Sequence, residues 1–267
     1  RGPLELEGSS RQLGVRYEIP LPAGERYAHS VEMGFEWKES DNDLLFGAVR
    51  LSQTQTEVGQ WLAGYRLDMP DRWGRTGLDL TCYYSPGHWF GEQTESAYSA
   101  ARAGSEPDYV YGRMDLTRLT RLPLGMRLST ELAWQEADGN LLASEQIGFG
   151  GFDSIRGFDQ RIVGNTDEGW YVRNELRSPQ WSPASALGLG EVEDSLEFLG
   201  FWDYGVARRD APLPGEDSRV TLSSVGPGLR YRIERHLSLR MDYGIPLQDG
   251  GLDDQDPRLH VGFLVSY

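Results

Sequence analysis

The chain has 267 residues and carries 41 Asp and Glu against 26 Lys and Arg, a formal net charge of -15. That balance excludes a nucleic-acid binder, which needs a basic face, and the lack of any run of about eighteen apolar residues excludes helical membrane spans. Neither observation excludes a membrane β-barrel, in which only one face of each strand meets lipid and polar residues line the lumen and loops.

The length fits one large all-β domain or two ordinary ones. The chain opens Arg1-Gly2-Pro3-Leu4-Glu5-Leu6-Glu7 with no apolar signal-peptide region, and Arg in place of Met suggests a piece of a longer precursor. Cys82 is the only cysteine, and His29, His88, His236 and His260 are scattered. No disulfide, metal site or cofactor is therefore expected.

Alternation of period two, the mark of strands with two different faces, runs nearly end to end. Leu13, Val15, Tyr17 and Ile19 alternate with Gly14, Arg16 and Glu18; Val31 to Trp37 follow the same rule. Residues 45–51 alternate less cleanly. Trp61, Ala63, Tyr65, Leu67 and Met69 share a face, as do Leu78, Leu80, Cys82 and Tyr84. After a polar connection over residues 86–106, strands are expected at 110–117, at 126–134 and, shorter, at 142–149. Trp170, Val172 and Leu176 then oppose Tyr171, Arg173 and Glu175. Residues 195–206, 219–232, 237–243 and 259–267 complete about thirteen strands of about ten residues, the length of a tilted membrane strand. No helical periodicity of useful length is present.

Connections alternate between short turns (20–26, 70–74, 233–235) and long polar loops (around 95, through 156, 207–217, 248–257), as in outer-membrane barrels. The polar face mixes Arg, Asp, Glu, Gly and Ser, which suits a wet interior. Tyr17, Trp37, Trp61, Trp134 and Trp170 near strand ends suit an aromatic girdle. A soluble all-β protein, with one face to core and one to water, is the alternative. Trp202-Asp203 has no repeat of about forty residues around it to suggest a propeller.

The least strand-like segment is Gly148-Phe149-Gly150-Gly151-Phe152-Asp153-Ser154-Ile155-Arg156-Gly157-Phe158. Its glycines permit positive φ and close backbone approach, and Arg156 stands between the apolar anchors Ile155 and Phe158. In Phe201-Trp202-Asp203-Tyr204-Gly205, alternation turns Phe201, Asp203 and Gly205 inward. A charge-assisted, bidentate Arg156–Asp203 bond would dock the loop on the wall. Spacing alone equally allows a solvent-facing Arg156 with Asp203 paired elsewhere.

These motifs, with Ser144 to Phe158 and Glu168 to Leu176, resemble the TpsB family: the outer-membrane transporters of two-partner secretion, or haemolysin activator/secretion proteins, relatives of the BamA insertases. The resemblance is sharp over residues 141–267 and diffuse over 10–140. It implies a lid loop (150–168) whose motif is Gly150, Gly151, Ile155, Arg156, Gly157 and Phe158, and a receiving wall motif of Phe201, Asp203 and Gly205. Arg173 and Glu175 are expected to support it from the lumen. His260, Gly262, Val265 and Tyr267 are similar to the C-terminal insertion signal of outer-membrane barrels. The family also implies sixteen strands preceded by two POTRA domains and a plug helix. With about thirteen strands and no POTRA-like region, residues 1–267 are expected to be the C-terminal portion of an antiparallel transmembrane β-barrel.

The resemblance implies, as a function, an outer-membrane pore for an unfolded secreted polypeptide, gated by the lid. Its expected partners are the lipid bilayer, the exoprotein and the barrel assembly machinery, with no nucleic acid. No nucleophile elbow, phosphate loop or His pair points to an enzyme. A BamA-like insertase, which would share the lid motif, and a passive porin, which would not, remain as alternatives.

Overall fold

A computed structural model describes residues 4–24, 26–46, 49–188, 192–209, 212, 217–252 and 256–266. It contains a single large antiparallel sheet of eleven strands. These are β1 (Leu4–Pro20), β2 (Ala28–Phe46), β3 (Val49–Asp71), β4 (Gly74–Pro86), β5 (Asp108–Arg121), β6 (Arg127–Ala137), β9 (Glu168–Arg177), β10 (Asp194–Arg208), β11 (Arg219–Ile233), β12 (Leu237–Gln248) and β13 (Arg258–Val265). Each pairs with the next in this order, and β1 and β13 form the two margins, with no ladder between them among the described residues. The remaining pair, β7 (Ile147–Gly148) and β8 (Asn165–Thr166), is a two-stranded element inside the loop from β6 to β9.

Among the described residues the wall thus has eleven strands, not thirteen. Residues 45–51 are no strand of their own, because β2 and β3 pair to their ends, Phe46 opposite Val49, and the segment is the end of one hairpin. Residues 47–48 lie outside the described residues. Only Ile147–Gly148 of 142–149 is extended. Leu142, where that strand was expected to begin, is instead buried with Leu141 against Tyr98, Tyr109 and Tyr111.

Face assignment follows parity. Leu13, Val15, Tyr17, Met33, Leu80, Trp202, Val261 and Phe263 are exposed on the outer face. Their inward neighbours include Glu36, Gln60, Arg173, Glu175, Asp203 and Asp242, all buried. A face of exposed large apolar side chains around a polar, ion-paired interior is the inverse of a soluble sandwich and fits lipid outside. Trp134 lies opposite Trp170 in the ladder, Trp170 packs on Tyr204 at 5.5 Å, and Tyr204 meets Trp202 at 6.1 Å. These aromatics lie side by side on β6, β9 and β10 toward the loop end, while Tyr17, Trp73 and Trp181 mark the other end, as interfacial girdles do.

Local chemistry sets the turns. Asp71 accepts the amides of Trp73 (2.7 Å) and Gly74 (2.9 Å), a side-chain turn that closes β3 onto β4. At the same end, residues 178–193 make a longer connection with α2 (Pro183–Ala186). One helix escaped the periodicity: α1 (Glu95–Ala101) spans only seven residues. Thr94 caps it by accepting the Ala97 amide at 3.2 Å, and the hydroxyl of its buried Tyr98 donates to the Glu57 carbonyl on β3 (2.9 Å).

Candidate functional site

The chain leaves the wall after Ala137 and rejoins it at Glu168, which already belongs to β9. Between them the segment 138–167 folds into the space enclosed by the inward faces. Gly150 (φ +96°) and Gly151 (φ +101°) take backbone that a side-chain-bearing residue rarely adopts, and a Cβ on Gly151 would lie 2.8 Å from the Gln160 Cα. The reversal is closed by the Gly151 amide donating to the Ile155 carbonyl (2.9 Å) and Arg161 to Gly150 (3.0 Å). That geometry aims residues 155–158 at the wall.

Arg156 is fully buried. Its Nε and Nη2 donate to the two carboxylate oxygens of Asp203, each at 2.7 Å, and its backbone amide adds a third bond at 3.1 Å. Nη1 donates to Glu175 at 2.5 Å and stands 3.5 Å from Asp242. The guanidinium lies over the Phe201 ring, 3.7 Å from its centroid, a desolvated cation–π contact. Burial opposes the charge, but the Asp203 hydrogen bonds and the pull of Asp203, Glu175 and Asp242 more than offset it, holding the pKa of Arg156 above its usual value. Removing one partner of such a buried pair costs about 3–5 kcal/mol, because the other charge is left uncompensated.

Neighbouring residues seat the tip. Ile155 and Phe158 are fully buried with Phe149, Val163, Ala207, Val220 and Leu222, each contributing about 1.5–3 kcal/mol of burial. Gly205 makes room for Ile155, whose Cδ1 would be 2.6 Å from a Cβ there. Gly157 (φ +88°) runs against the backbone of Gly244 on β12, and its amide donates to His260 Nε2 at 3.0 Å. Arg173, directly opposite Asp203 in the ladder, donates to Glu131 (3.0 Å) and to the backbone carbonyl of Asp153 (3.4 Å). Glu175 also receives Arg177 (2.6 Å) and Arg230 (2.9 Å).

The structure therefore brings Gly150, Gly151, Ile155, Arg156, Gly157, Phe158, Phe201, Asp203, Gly205, Arg173 and Glu175 into one inward cluster. The four C-terminal residues divide. His260 and Gly262 face the segment 138–167, where a Cβ on Gly262 would be 3.0 Å from the Phe152 ring. Val265 points outward, 65% exposed, and Tyr267 lies outside the described residues. Asp242, Arg230, Arg240 and Gly244 were missed. Arg230 reaches Asp242 at 2.8 Å, Arg240 reaches it at 2.9 Å, and Arg240 lies 3.7 Å over the Phe152 ring. The signal for them was present: all four have inward parity, Arg230 on β11 beside Asp203's own strand and the other three on β12, one strand further.

Among solved structures, the chain is similar to CdiB from Escherichia coli, with a TM-score of 0.77 at 21% identity, covering 96% of this chain and 45% of that one. It is also similar to CdiB from Acinetobacter baumannii, with a TM-score of 0.72 at 19% identity, covering 99% of this chain and 44% of that one. At such identities the likeness shows the fold, and the chain spans less than half the length of either structure. No curated sequence matches it. The family described as haemolysin secretion/activation protein ShlB/FhaC/HecB matches residues 1–231. With that match over most of its length, on a sheet of the same fold, the chain belongs to the ShlB/FhaC/HecB family of haemolysin secretion/activation proteins, the outer-membrane β-barrel transporters of two-partner secretion.

Proposed function

We propose that this sheet forms part of the wall of an outer-membrane pore that passes an unfolded exoprotein to the cell surface, and that the segment through Arg156 is its gate. The observation that carries the reading is the fully buried Arg156, bidentate on Asp203. A guanidinium fixed there keeps a plug of apolar and backbone groups across the lumen; moving it opens a polar path. The outward run Leu259, Val261, Phe263 and Val265 on β13 supports delivery to the membrane as a barrel strand, through the barrel assembly machinery. No ATP is available at that membrane, so the driving free energy is the exoprotein's own folding outside. Membership of a secretion family favours this role over that of an insertase.

In the complete transporter, Arg156→Ala and Asp203→Ala should each lower secretion of the exoprotein about tenfold, to a level still measurable, while the barrel still inserts, as read by heat-modifiable electrophoretic mobility. Wild-type secretion by either inserted variant would refute the gate.

A further inference from the structure

The lid is held at a second place, by opposite chemistry. Glu145, at its root, is fully buried. Lys38 Nζ on β2 donates to both of its oxygens, at 2.9 and 3.0 Å. Gln60 on β3 (2.9 Å) and the Tyr111 hydroxyl on β5 (2.7 Å) donate to Oε2. The Glu145 carbonyl accepts from Arg113 (2.7 Å) and Gln135 (3.1 Å), and Gln135 also reaches the carbonyl of Asp167 on the returning leg (2.9 Å). The Asp167 carboxylate in turn receives Arg102, the Leu141 amide (2.8 Å) and Gln146 (2.9 Å). Both legs are thus bound to each other and to the wall just below the β7–β8 pair.

Release at the two places leaves different debris. When Arg156 withdraws, Glu175 keeps Arg177 and Arg230, and Asp242 keeps Arg230 and Arg240. Of the three wall carboxylates only Asp203 loses its bidentate partner, while Arg156 gives up Asp203 and Glu175, and His260 the Gly157 amide. When Glu145 withdraws, Lys38 and Gln60 keep Glu36 and Arg113 keeps the Gln135 side chain, but Glu145 loses its lysine, the buried Tyr111 hydroxyl loses its acceptor, and Gln135 and Arg113 lose a carbonyl. Each buried polar group left unmade is destabilising, and an unpaired buried charge more so. Burial works against the Glu145 charge, yet Lys38 and the donors around it hold its pKa below the ordinary carboxylate value, so the ion pair stands at neutral pH.

We propose that Glu145 is a positioning residue that pins the lid's root to the β2–β3–β5 wall and stays pinned while the Arg156 tip is released, so that only about residues 147–166 move. This rests on the gate reading of Arg156.

The test uses the complete transporter with Cys82→Ser, the only cysteine of these 267 residues, and any cysteine outside them also replaced by Ser. One variant adds Lys38→Cys and Glu145→Cys at the root; another adds Asp159→Cys and Arg258→Cys at the tip, where the two native side chains pair at 2.8 Å. Each is closed with a bifunctional methanethiosulfonate and reopened with reductant. The open root variant should secrete about tenfold less or worse, for want of the buried pair. Closing it should restore secretion, and reductant should remove the gain. Closing the tip should stop secretion until reduced. A root link that blocks secretion, or an open root variant that secretes normally, overturns the pinned root. A tip link without effect strikes instead at the gate itself. Glu145→Gln, which keeps the shape and drops the charge, covers failure of the cysteine variant to fold: reduced secretion by an inserted barrel supports the pin, and unchanged secretion refutes it.

Discussion

The closest packing in the lock is backbone on backbone. A Cβ on Gly244 would overlap the Gly157 amide and lie 2.9 Å from the Arg156 carbonyl carbon. Neither neighbour is a side chain that can swing away, and Gly157 is already at positive φ. Gly244→Ala is therefore expected to unseat the tip as Arg156→Ala does, with a higher open-channel conductance in planar bilayers and an inserted barrel; an unchanged conductance would show that the contact is dispensable. The same scale gives a pH signature at the root. Glu145's folded pKa lies below its reference value of 4.5. Its charged-state stabilisation is then complete above 4.5 and is lost as pH falls through the lower folded value. A cysteine at Ser154, a buried lid position, reports lid opening by its labelling rate. The difference in labelling between the native root and Glu145→Gln should be full at neutral pH and shrink in acid; a difference that grows in acid would contradict the ion pair.

Strands were legible because parity is a local property: Leu80 and Thr81 declare opposite faces without knowledge of what either touches. Strand ends and hairpin tips were not legible in the same way. β2 and β3 run for nineteen and twenty-three residues, well past the roughly ten that cross a bilayer. Apolar residues near Leu45 and Leu51 therefore imitated an extra strand where one hairpin turns back. Leu142 imitated the start of another, although its burial comes from Tyr98 and Tyr109, which no local pattern links to it. Within the site, Arg156 and Asp203 stood out because each interrupts its surroundings, a cation in a glycine loop and a lone acid between aromatics. Asp242 and Glu145 did not, since their significance lies wholly in partners distant along the chain (Arg156, Lys38, Gln60) or on neighbouring strands. The face assignment has a direct test. Leu80→Arg, on the outer face, should cost about 2–4 kcal/mol of barrel stability in lipid vesicles if it sits near the midplane, and Thr81→Arg, on the inner face, much less. Equal costs would mean that the outer face does not meet lipid.

At the level of the whole molecule, the segment 138–167 ties opposite parts of the sheet together. Its root rests on β2, β3 and β5 through Glu145, and its tip on β9, β10, β12 and β13 through Arg156 and Gly157. An arrangement of this kind couples the state of the lumen to the relative positions of two wall regions. On the gate reading, the hold that is released is the tip, where Glu175 and Asp242 keep other partners when Arg156 leaves. Whether Arg156 and Asp203 act as one unit is measurable as a double-mutant cycle on secretion, with Arg156→Ala, Asp203→Ala and the combined variant compared in inserted barrels. A single lock predicts that the combined variant secretes no less than either single one. Losses that add would contradict it, for they would mean that the two residues serve secretion separately.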